Sequence, residues 1–409
     1  MTAAEAVSPL APEVFPSMPP VPGVRLSTHA AGLRYQGRAD LMLARLDAGT
    51  TVGGVFTSSL CPSAPVDWCR AILPNGTARA VVCNAGNANA FTGQAGAVAA
   101  KLTAEVIAEA IDCQPAEVFL ASTGVIGETL DPAALTEALP VLAGSGDAGW
   151  EAAANAIRTT DTYPKGSSRP VAGTAAVVAG IAKGSGMIAP DMATMLGFVF
   201  TDLAVTADAL QAALAAATEA SYNRITVDGD TSTSDTVLSF ATGAAGNEPL
   251  SGPGSPHWEA FVDALGAVNL DLAHQIVRDG EGATKFVEVT VTGAQDDAAA
   301  KAIGLAIGNS PLVKTALAAE DANWGRIVMA VGKAGQKADR DRLAIAIGDE
   351  PVTEGGVVRD GYSERRATEH LRGDDVRLAV DVGVGSGRAT IWTCDLTHGY
   401  IDINAGYRS

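Results

Sequence analysis

A breaker-rich segment between two β-prone runs constrains this chain most strongly. Residues 183–196 read Lys-Gly-Ser-Gly-Met-Ile-Ala-Pro-Asp-Met-Ala-Thr-Met-Leu, with the hydroxyl residue Thr194 near the end. Glycine and proline interrupt regular structure, so we expect Thr194 to stand where a loop meets the start of a strand. A hydroxyl in that position suits a chain that cuts its own backbone and keeps both pieces in one fold.

Self-cleavage would give Thr194 both a nucleophile and a base. If its hydroxyl attacks the carbonyl carbon of Ala193, the resulting ester can be hydrolysed, which leaves Thr194 as a new N-terminus. A free α-amine has a pKa of about 7.7–8.0 and can accept the threonine proton near neutral pH. Most threonines are ordinary surface or strand residues, however, so this hypothesis needs support from the rest of the chain.

Composition excludes several classes of partner. Lys and Arg number 28 against 46 Asp and Glu, and the formal net charge of −18 repels nucleic-acid backbones and anionic lipid. No apolar run reaches the length of a membrane span, and residues 1–22 lack the basic start and apolar core of a signal peptide, so we expect a cytoplasmic protein. The five cysteines are scattered and are interpreted as buried free thiols.

Apolar periodicity predicts an alternation of strands and helices. Residues 24–60 are expected to form strands joined by tight turns. Further strands are predicted at residues 78–83, 118–121, 172–182, 196–205, 286–291, 326–331, 343–348 and 376–382, and residues 389–404 are expected to be extended. Helices are predicted at residues 94–111, 132–142, 149–157, 207–220, 258–278 and 296–307.

Several motifs occur in a fixed order along the chain. They are Asn-Ala-Gly-Asn-Ala-Asn-Ala at 84–90, Ser-Thr-Gly-Val-Ile-Gly at 122–127, Thr-Thr-Asp-Thr at 159–162, Thr-Val-Asp-Gly-Asp-Thr-Ser-Thr at 226–233 and Asp-Ala-Asn-Trp-Gly-Arg at 321–326. Together with residues 183–196, they resemble the ornithine acetyltransferase family, the bifunctional glutamate N-acetyltransferases of arginine synthesis. The resemblance runs from Gly32 to the last residue.

The resemblance implies a fold and an assembly. The expected fold is α/β, a four-layer αββα sandwich similar to N-terminal-nucleophile and DmpA-like hydrolases, with a smaller C-terminal α/β domain. We expect a flexible segment at 1–22, the catalytic sandwich at 23–284, the smaller domain at 285–390, and a final segment at 391–409 that returns to the active site. The two cleaved pieces are expected to stay together in an α2β2 heterotetramer.

The resemblance also assigns roles to residues. Thr194 is the implied nucleophile, cleaved from Ala193, and Thr123 with Gly124 forms the implied oxyanion hole, where a lost donor typically costs about 10²- to 10³-fold in rate. Thr160, Lys183, Thr194, Glu281, Asn404 and Ser409 match the family's substrate-binding positions. A lysine suits the α-carboxylate of an amino acid, and a glutamate suits an ammonium group.

The implied reaction is a ping-pong transfer of acetyl from N2-acetylornithine to L-glutamate, and some family members also accept acetyl-CoA as the donor. No cofactor and no metal are expected. The Gly-Val-Gly-Ser-Gly run at 383–387 precedes a β-like stretch where a dinucleotide motif needs a helix. In residues 228–239, Thr233 and Ser239 occupy the positions where a calcium loop requires glycine and glutamate. The five histidines form no metal-binding cluster.

Three rival functions remain open at this point. An N-terminal-nucleophile aminopeptidase or amidase would use the same exposed hydroxyl and let water take the acyl group. A paralogue from a secondary pathway would share every residue named above, with a similar donor. An uncleaved binding protein would keep the fold without catalysis.

Overall fold

Strands and helices alternate along residues 7–189 and 195–406, the part of the chain that the computed structural model describes. The strands are β1 (Val24–His29), β2 (Leu41–Leu46), β3 (Thr51–Phe56), β4 (Ala80–Asn87), β5 (Val118–Val125), β6 (Lys165–Pro170), β7 (Val177–Lys183), β8 (Leu196–Thr201), β9 (Thr236–Ala241), β10 (Phe286–Ala294), β11 (Ala344–Ile347), β12 (Glu350–Glu354), β13 (Val357–Val358), β14 (Asp375–Asp381) and β15 (Gly387–Cys394). The helices are α1 (Ala64–Ile72), α2 (Gly93–Ile111), α3 (Pro132–Gly144), α4 (Gly149–Ala156), α5 (Ala207–Ala220), α6 (Trp258–Arg278), α7 (Asp297–Gly308), α8 (Pro311–Ala318), α9 (Trp324–Lys333), α10 (Glu364–Leu371) and α11 (His398–Gly406).

Two sheets pack face to face in the first part of the chain. Their strand orders are β1-β2-β4-β5 and β3-β9-β8-β7-β6. Aromatic rings join the two inner faces: Phe240 of β9 stacks on Phe200 of β8 at 5.3 Å and meets Phe119 of β5 edge-on at 6.3 Å. Such contacts between large buried rings contribute beyond the apolar area that they bury.

Helices cover the outer face of each sheet. The four-stranded sheet contacts α1, α2 and α3, and the five-stranded sheet contacts α5 and α6. All six residues of β8 are buried, with Phe198 and Phe200 in the core between the sheets and Val199 in the core beneath the helices. A strand buried on both faces is what a four-layer sandwich requires, so the predicted αββα fold is confirmed.

The C-terminal part of the chain forms a separate α/β unit. Its six strands follow the order β13-β12-β11-β14-β10-β15 and share a core with α7 and α9 through residues such as Val289, Ile303 and Ile327. We propose that this unit is a domain that begins near residue 285. Strand β15 continues through residue 390, so the proposed final segment, 391–409, starts inside this sheet.

Two predicted elements are wrong. Residues 326–331 lie in helix α9, because Ile327, Ala330 and Val331 are buried with the spacing of one helical face. The extended stretch at 389–404 stops at Cys394, and helix α11 begins at His398. Thr397 turns the chain there, because its hydroxyl donates to the Gly282 carbonyl and accepts the N–H of Gly399.

The cysteines only partly match the prediction of buried thiols. Cys69, Cys83 and Cys394 are buried, while Cys113 is half-buried and Cys61 is exposed. Burial raises the pKa of the Cys69 and Cys83 thiols to about 12, so both stay protonated at neutral pH.

Among residues 7–189 and 195–406, no helix is both long and apolar enough to cross a bilayer.

Replacing Phe240 tests whether the aromatic contacts hold the sheets together. Phe240→Ala should lower the free energy of unfolding by about 3–5 kcal/mol, because the cavity lies between two sheets that cannot collapse freely. Urea unfolding followed by tryptophan fluorescence measures this, since Trp150 packs on Phe200 at 5.7 Å. Phe91→Ala is the control, because Phe91 is 88% exposed. Equal losses in both variants would contradict the account.

Candidate active site

A cavity of about 380 Å³ opens where the two sheets of the sandwich end. This volume falls within the range of about 300–1,000 Å³ that is common for small-molecule sites. Most of the residues that line it are polar, and they include a run of four hydroxyl residues at 231–234. Six of the residues that the sequence singled out line it together: Thr123, Gly124, Thr160, Lys183, Glu281 and Asn404. Thr194, Ala193 and Ser409 lie outside the described residues.

Only glycine fits at position 124. Its φ of +129° is unfavourable for other residues, and a Cβ atom there would stand 2.3 Å from the Gly86 backbone on β4. Strand β5 continues through Thr123 and Gly124, beyond the predicted strand at residues 118–121. The close approach of the two strands therefore sets the backbone at the edge of the cavity.

Lys183 connects the two sheets at the cavity. Its side chain is only 2% exposed, and its Nζ donates to Oγ1 of Thr123 at 3.2 Å. Burial lowers the pKa of Lys183, and the nearby Asp161 carboxylate, 3.9 Å away, opposes this. Because the Thr123 oxygen accepts from an ammonium, the hydrogen of the hydroxyl is left to donate to another acceptor.

A buried ion cluster lies behind Lys183. Lys165 is fully buried and contacts Asp161 at 2.8 Å and Asp279 at 2.5 Å. Asp161 also accepts the N–H of Gly184 at 2.6 Å. Burial alone would raise the pKa of Asp161, but Lys165 and Lys183 outweigh it and hold that pKa well below its usual range. No pattern in the sequence indicated a role for Asp161, Lys165 or Asp279.

Glu281 faces the cavity from the turn after α6. Its carboxylate accepts from Asn404 Nδ2 at 2.6 Å and from the Thr160 hydroxyl. Burial raises the pKa of Glu281, and these two hydrogen bonds partly oppose the shift. A Cβ atom on Gly186 would lie 2.4 Å from this carboxylate, so a side chain there would displace it. Through Asn404, helix α11 reaches the cavity.

Asp228 stabilises the loop that leads away from Lys183. Its carboxylate accepts the N–H groups of Met187 at 2.6 Å and Ile188 at 2.9 Å, and the hydroxyl of Tyr400 at 3.4 Å. These bonds use the oxygens that a calcium ion would need. Within the described ranges, 7–189 and 195–406, no group of three metal-binding side chains occurs.

Strand β8 begins between two charged residues. Leu196 pairs with Lys183 on β7 and with Thr236 on β9. On the β9 side, Oδ1 of the fully buried Asp235 accepts the N–H of Met195 at 3.0 Å. Burial raises the pKa of Asp235 well above its usual range, although the Met195 amide and the charge of Lys183 oppose this. Met195 is thus held from the β9 side, and Leu196 is paired on both sides.

Comparisons with known proteins identify the family of this chain. The sequence profile of the ArgJ family matches residues 25–409. Two proteins named arginine biosynthesis bifunctional protein ArgJ cover 99% of this chain and are covered to 99% themselves, one from Rhizobium meliloti (strain 1021) at 56% identity and one from Brucella suis biovar 1 (strain 1330) at 55%. A crystal structure of ArgJ from Bacillus halodurans, 47% identical with a TM-score of 0.50, covers 51% of this chain and 98% of its own. The chain therefore belongs to the ArgJ family and is an acetyltransferase.

Proposed function

We propose that this enzyme cleaves itself between Ala193 and Thr194 and then moves acetyl from N2-acetylornithine to L-glutamate through an ester on Thr194. One observation carries the proposal: Thr123, Gly124, Lys183 and Glu281, which are distant in sequence, line a single cavity. That cavity lies beside the strand that follows Thr194. The ArgJ name of the relatives and their role in arginine biosynthesis support the same reaction.

Self-cleavage is supported by the length of a solved relative's chain. The match includes almost all of the Bacillus halodurans chain but only about half of the chain described here. Separate pieces of one precursor would give this result. In the proposed step, the Thr194 hydroxyl adds to the Ala193 carbonyl, the peptide C–N bond breaks, and water hydrolyses the ester. The amine released at Thr194 is then available as the base.

Acetyl transfer follows in two halves. The Thr194 amine takes the hydroxyl proton, and the oxygen attacks the acetyl carbonyl of N2-acetylornithine. The negative oxygen of the tetrahedral intermediate accepts hydrogen bonds from Thr123 and Gly124. When the intermediate collapses, its C–N bond breaks, the amine returns the proton to the departing nitrogen, and ornithine leaves. The amine of glutamate then attacks the ester, and Thr194 regains its hydroxyl as N-acetylglutamate forms.

Lys183 supports this oxyanion site through Thr123. The sequence suggested that Lys183 binds a substrate carboxylate, but its ammonium donates to the Thr123 hydroxyl, which directs the hydroxyl hydrogen elsewhere. An ammonium on the oxygen also makes that hydroxyl a stronger donor. We therefore propose that Lys183 mainly stabilises the transition state.

The other end of the cavity selects an amino acid. Glu281, held by Asn404 and Thr160, is the proposed partner of a substrate ammonium group. Ser409 is proposed to contribute from the chain end. Acetyl-CoA remains a proposed second donor, and an α2β2 heterotetramer remains the proposed assembly.

Thr194→Ala tests the proposed nucleophile. Intact-mass analysis of denatured wild-type protein should give two fragments, of 193 and 216 residues. The variant should remain a single chain of 409 residues, because alanine lacks the attacking oxygen. An uncleaved wild-type chain would contradict the mechanism and favour the binding-protein alternative. Cleaved protein that releases acetate without acetylating glutamate would favour the amidase alternative.

Lys183→Met tests whether the lysine supports the oxyanion site or binds the substrate carboxylate. We expect kcat to fall by about 10²-fold with KM nearly unchanged, because the lost interaction strengthens only in the transition state. The double variant Lys183→Met with Thr123→Val should have a kcat close to that of Thr123→Val alone. Each change removes the same hydrogen bond between Lys183 and Thr123, so the second change adds little. A higher KM with unchanged kcat would instead assign Lys183 to the substrate carboxylate. Equal extents of self-cleavage must be verified by mass.

A further inference from the structure

The run of hydroxyl residues at 231–234 lines the cavity, and the reaction proposed above does not use it. Carbonyl groups anchor the backbone of this run. The Thr233 carbonyl accepts the N–H of Ser63 at 2.8 Å, and the Ser234 carbonyl accepts the Thr236 hydroxyl at 3.1 Å. Because the loop is held by its backbone, its side chains are available to a ligand.

Hydroxyl hydrogens of this run lack an acceptor among residues 7–189 and 195–406. The Thr231 side chain makes no hydrogen bond within those ranges. Ser232 is only 2% exposed, and its Oγ accepts the Ser234 N–H at 3.0 Å, which leaves the hydroxyl hydrogen free to donate. The Thr233 and Ser234 hydroxyls lie 3.1 Å apart, so their contact uses one of two hydrogens. The run therefore suits a ligand that accepts hydrogen bonds.

The charges of the cavity limit where an anionic group can bind. Three carboxylates line it, those of Asp228, Asp230 and Glu281, and Lys183 is the single cation among the described lining residues. Burial raises the pKa of Tyr400, and the three carboxylates add to that shift, so they share the end of the cavity beside helix α11. Lys183 already donates to the oxyanion site. An anion must therefore bind uncharged donors away from α11.

The two proposed substrates end in opposite charges. The side chain of N2-acetylornithine carries an ammonium group, which suits the acidic end of the cavity. The side chain of glutamate carries a carboxylate, which that end repels. Since both substrates must present a nitrogen to the same acyl position, their side chains share one cavity and need different walls. Hydroxyl groups can hold a carboxylate without adding a positive charge that would repel ornithine.

We propose that the hydroxyl run 231–234 is the subsite for the side-chain carboxylate of the glutamate acceptor. This inference rests on the proposed function. The Thr231 and Ser232 hydroxyls donate to the carboxylate oxygens, while the ornithine side chain turns towards Glu281. The run thus selects an acidic acceptor and contributes little to binding of the donor.

Thr231→Val tests this subsite without removing a hydrogen bond within the described protein. Valine keeps the shape of threonine but lacks its hydroxyl. We expect kcat/KM for glutamate to fall by about 10-fold, as is typical when a hydrogen bond to a charged group is lost. The preference for glutamate over glutamine should narrow by the same factor. In a ping-pong reaction each kcat/KM reports on its own half, so the value for N2-acetylornithine should not change.

Three further variants separate the subsite from a structural effect. Thr231→Ser restores a hydroxyl and should restore the preference for glutamate. Thr159→Val is the matched control, because Thr159 lines the same cavity and only its backbone N–H has a hydrogen-bond partner, Asp161, among the described residues. It should keep the wild-type kcat/KM for both substrates. Adding Ser232→Ala to Thr231→Val should lower kcat/KM for glutamate further.

The subsite would be contradicted by any of three results in cleaved, active protein. The double variant could keep the wild-type kcat/KM for glutamate, Thr159→Val could lose as much as Thr231→Val, or Thr231→Val could lower kcat/KM equally for both substrates. If the double variant is insoluble, the comparison of Thr231→Val with Thr231→Ser decides. Wild type that acetylates no glutamate would instead contradict the proposed function itself.

Discussion

The buried pairing of Lys165 with Asp161 and Asp279 is the constraint on which the active site depends. These charges lie in a dry interior, where an unpaired one would be strongly destabilising. Each partner comes from a different segment, so the cluster fixes the 159–163 loop, strand β6 and the end of α6 relative to one another. Asp161 then orients Lys183 and the Gly184 amide. Lys183 in turn contacts Thr123 on the opposite sheet.

Two glycines allow close contacts at the cavity, in addition to the buried ion pairs. Gly124 lies against Gly86 where two strands of one sheet meet, and Gly186 leaves room for the Glu281 carboxylate. A side chain at position 124 would collide with the Gly86 backbone, and one at position 186 would displace the Glu281 carboxylate. These glycines cost conformational entropy in folding. Both Gly124 and Gly186 line the candidate cavity.

Local patterns in the sequence predicted local elements well. Helices α5 and α6 have the predicted limits, because their apolar residues recur at helical spacing between those limits. Strand β6 was not predictable, because Lys-Gly-Ser-Ser-Arg-Pro resembles a loop and becomes a strand only by pairing with β7. The β-branched residues in α9 suggested a strand, but their spacing places them on one helical face.

The candidate site was also predictable only in part. Motifs and their family resemblance indicated Thr123, Gly124, Thr160, Lys183, Glu281 and Asn404, and all six line one cavity. The ion cluster could not be predicted, because Lys165 and Asp279 are 114 residues apart and neither segment alone indicates burial. The contact between Asp235 and the Met195 N–H could not be predicted either, because it depends on which strand lies beside β8. Long-range pairing, rather than composition, determines these contacts.

Trapping the acetyl-enzyme tests the account most directly. Purified, self-cleaved protein is mixed with N2-acetylornithine in the absence of glutamate, quenched in acid, and analysed by intact mass and fragment sequencing. The account predicts one added acetyl group, located on Thr194 at the start of the 216-residue fragment, which disappears when glutamate is added before the quench. Acetylation at another residue, or turnover without any covalent acetyl-enzyme, would contradict the proposed mechanism.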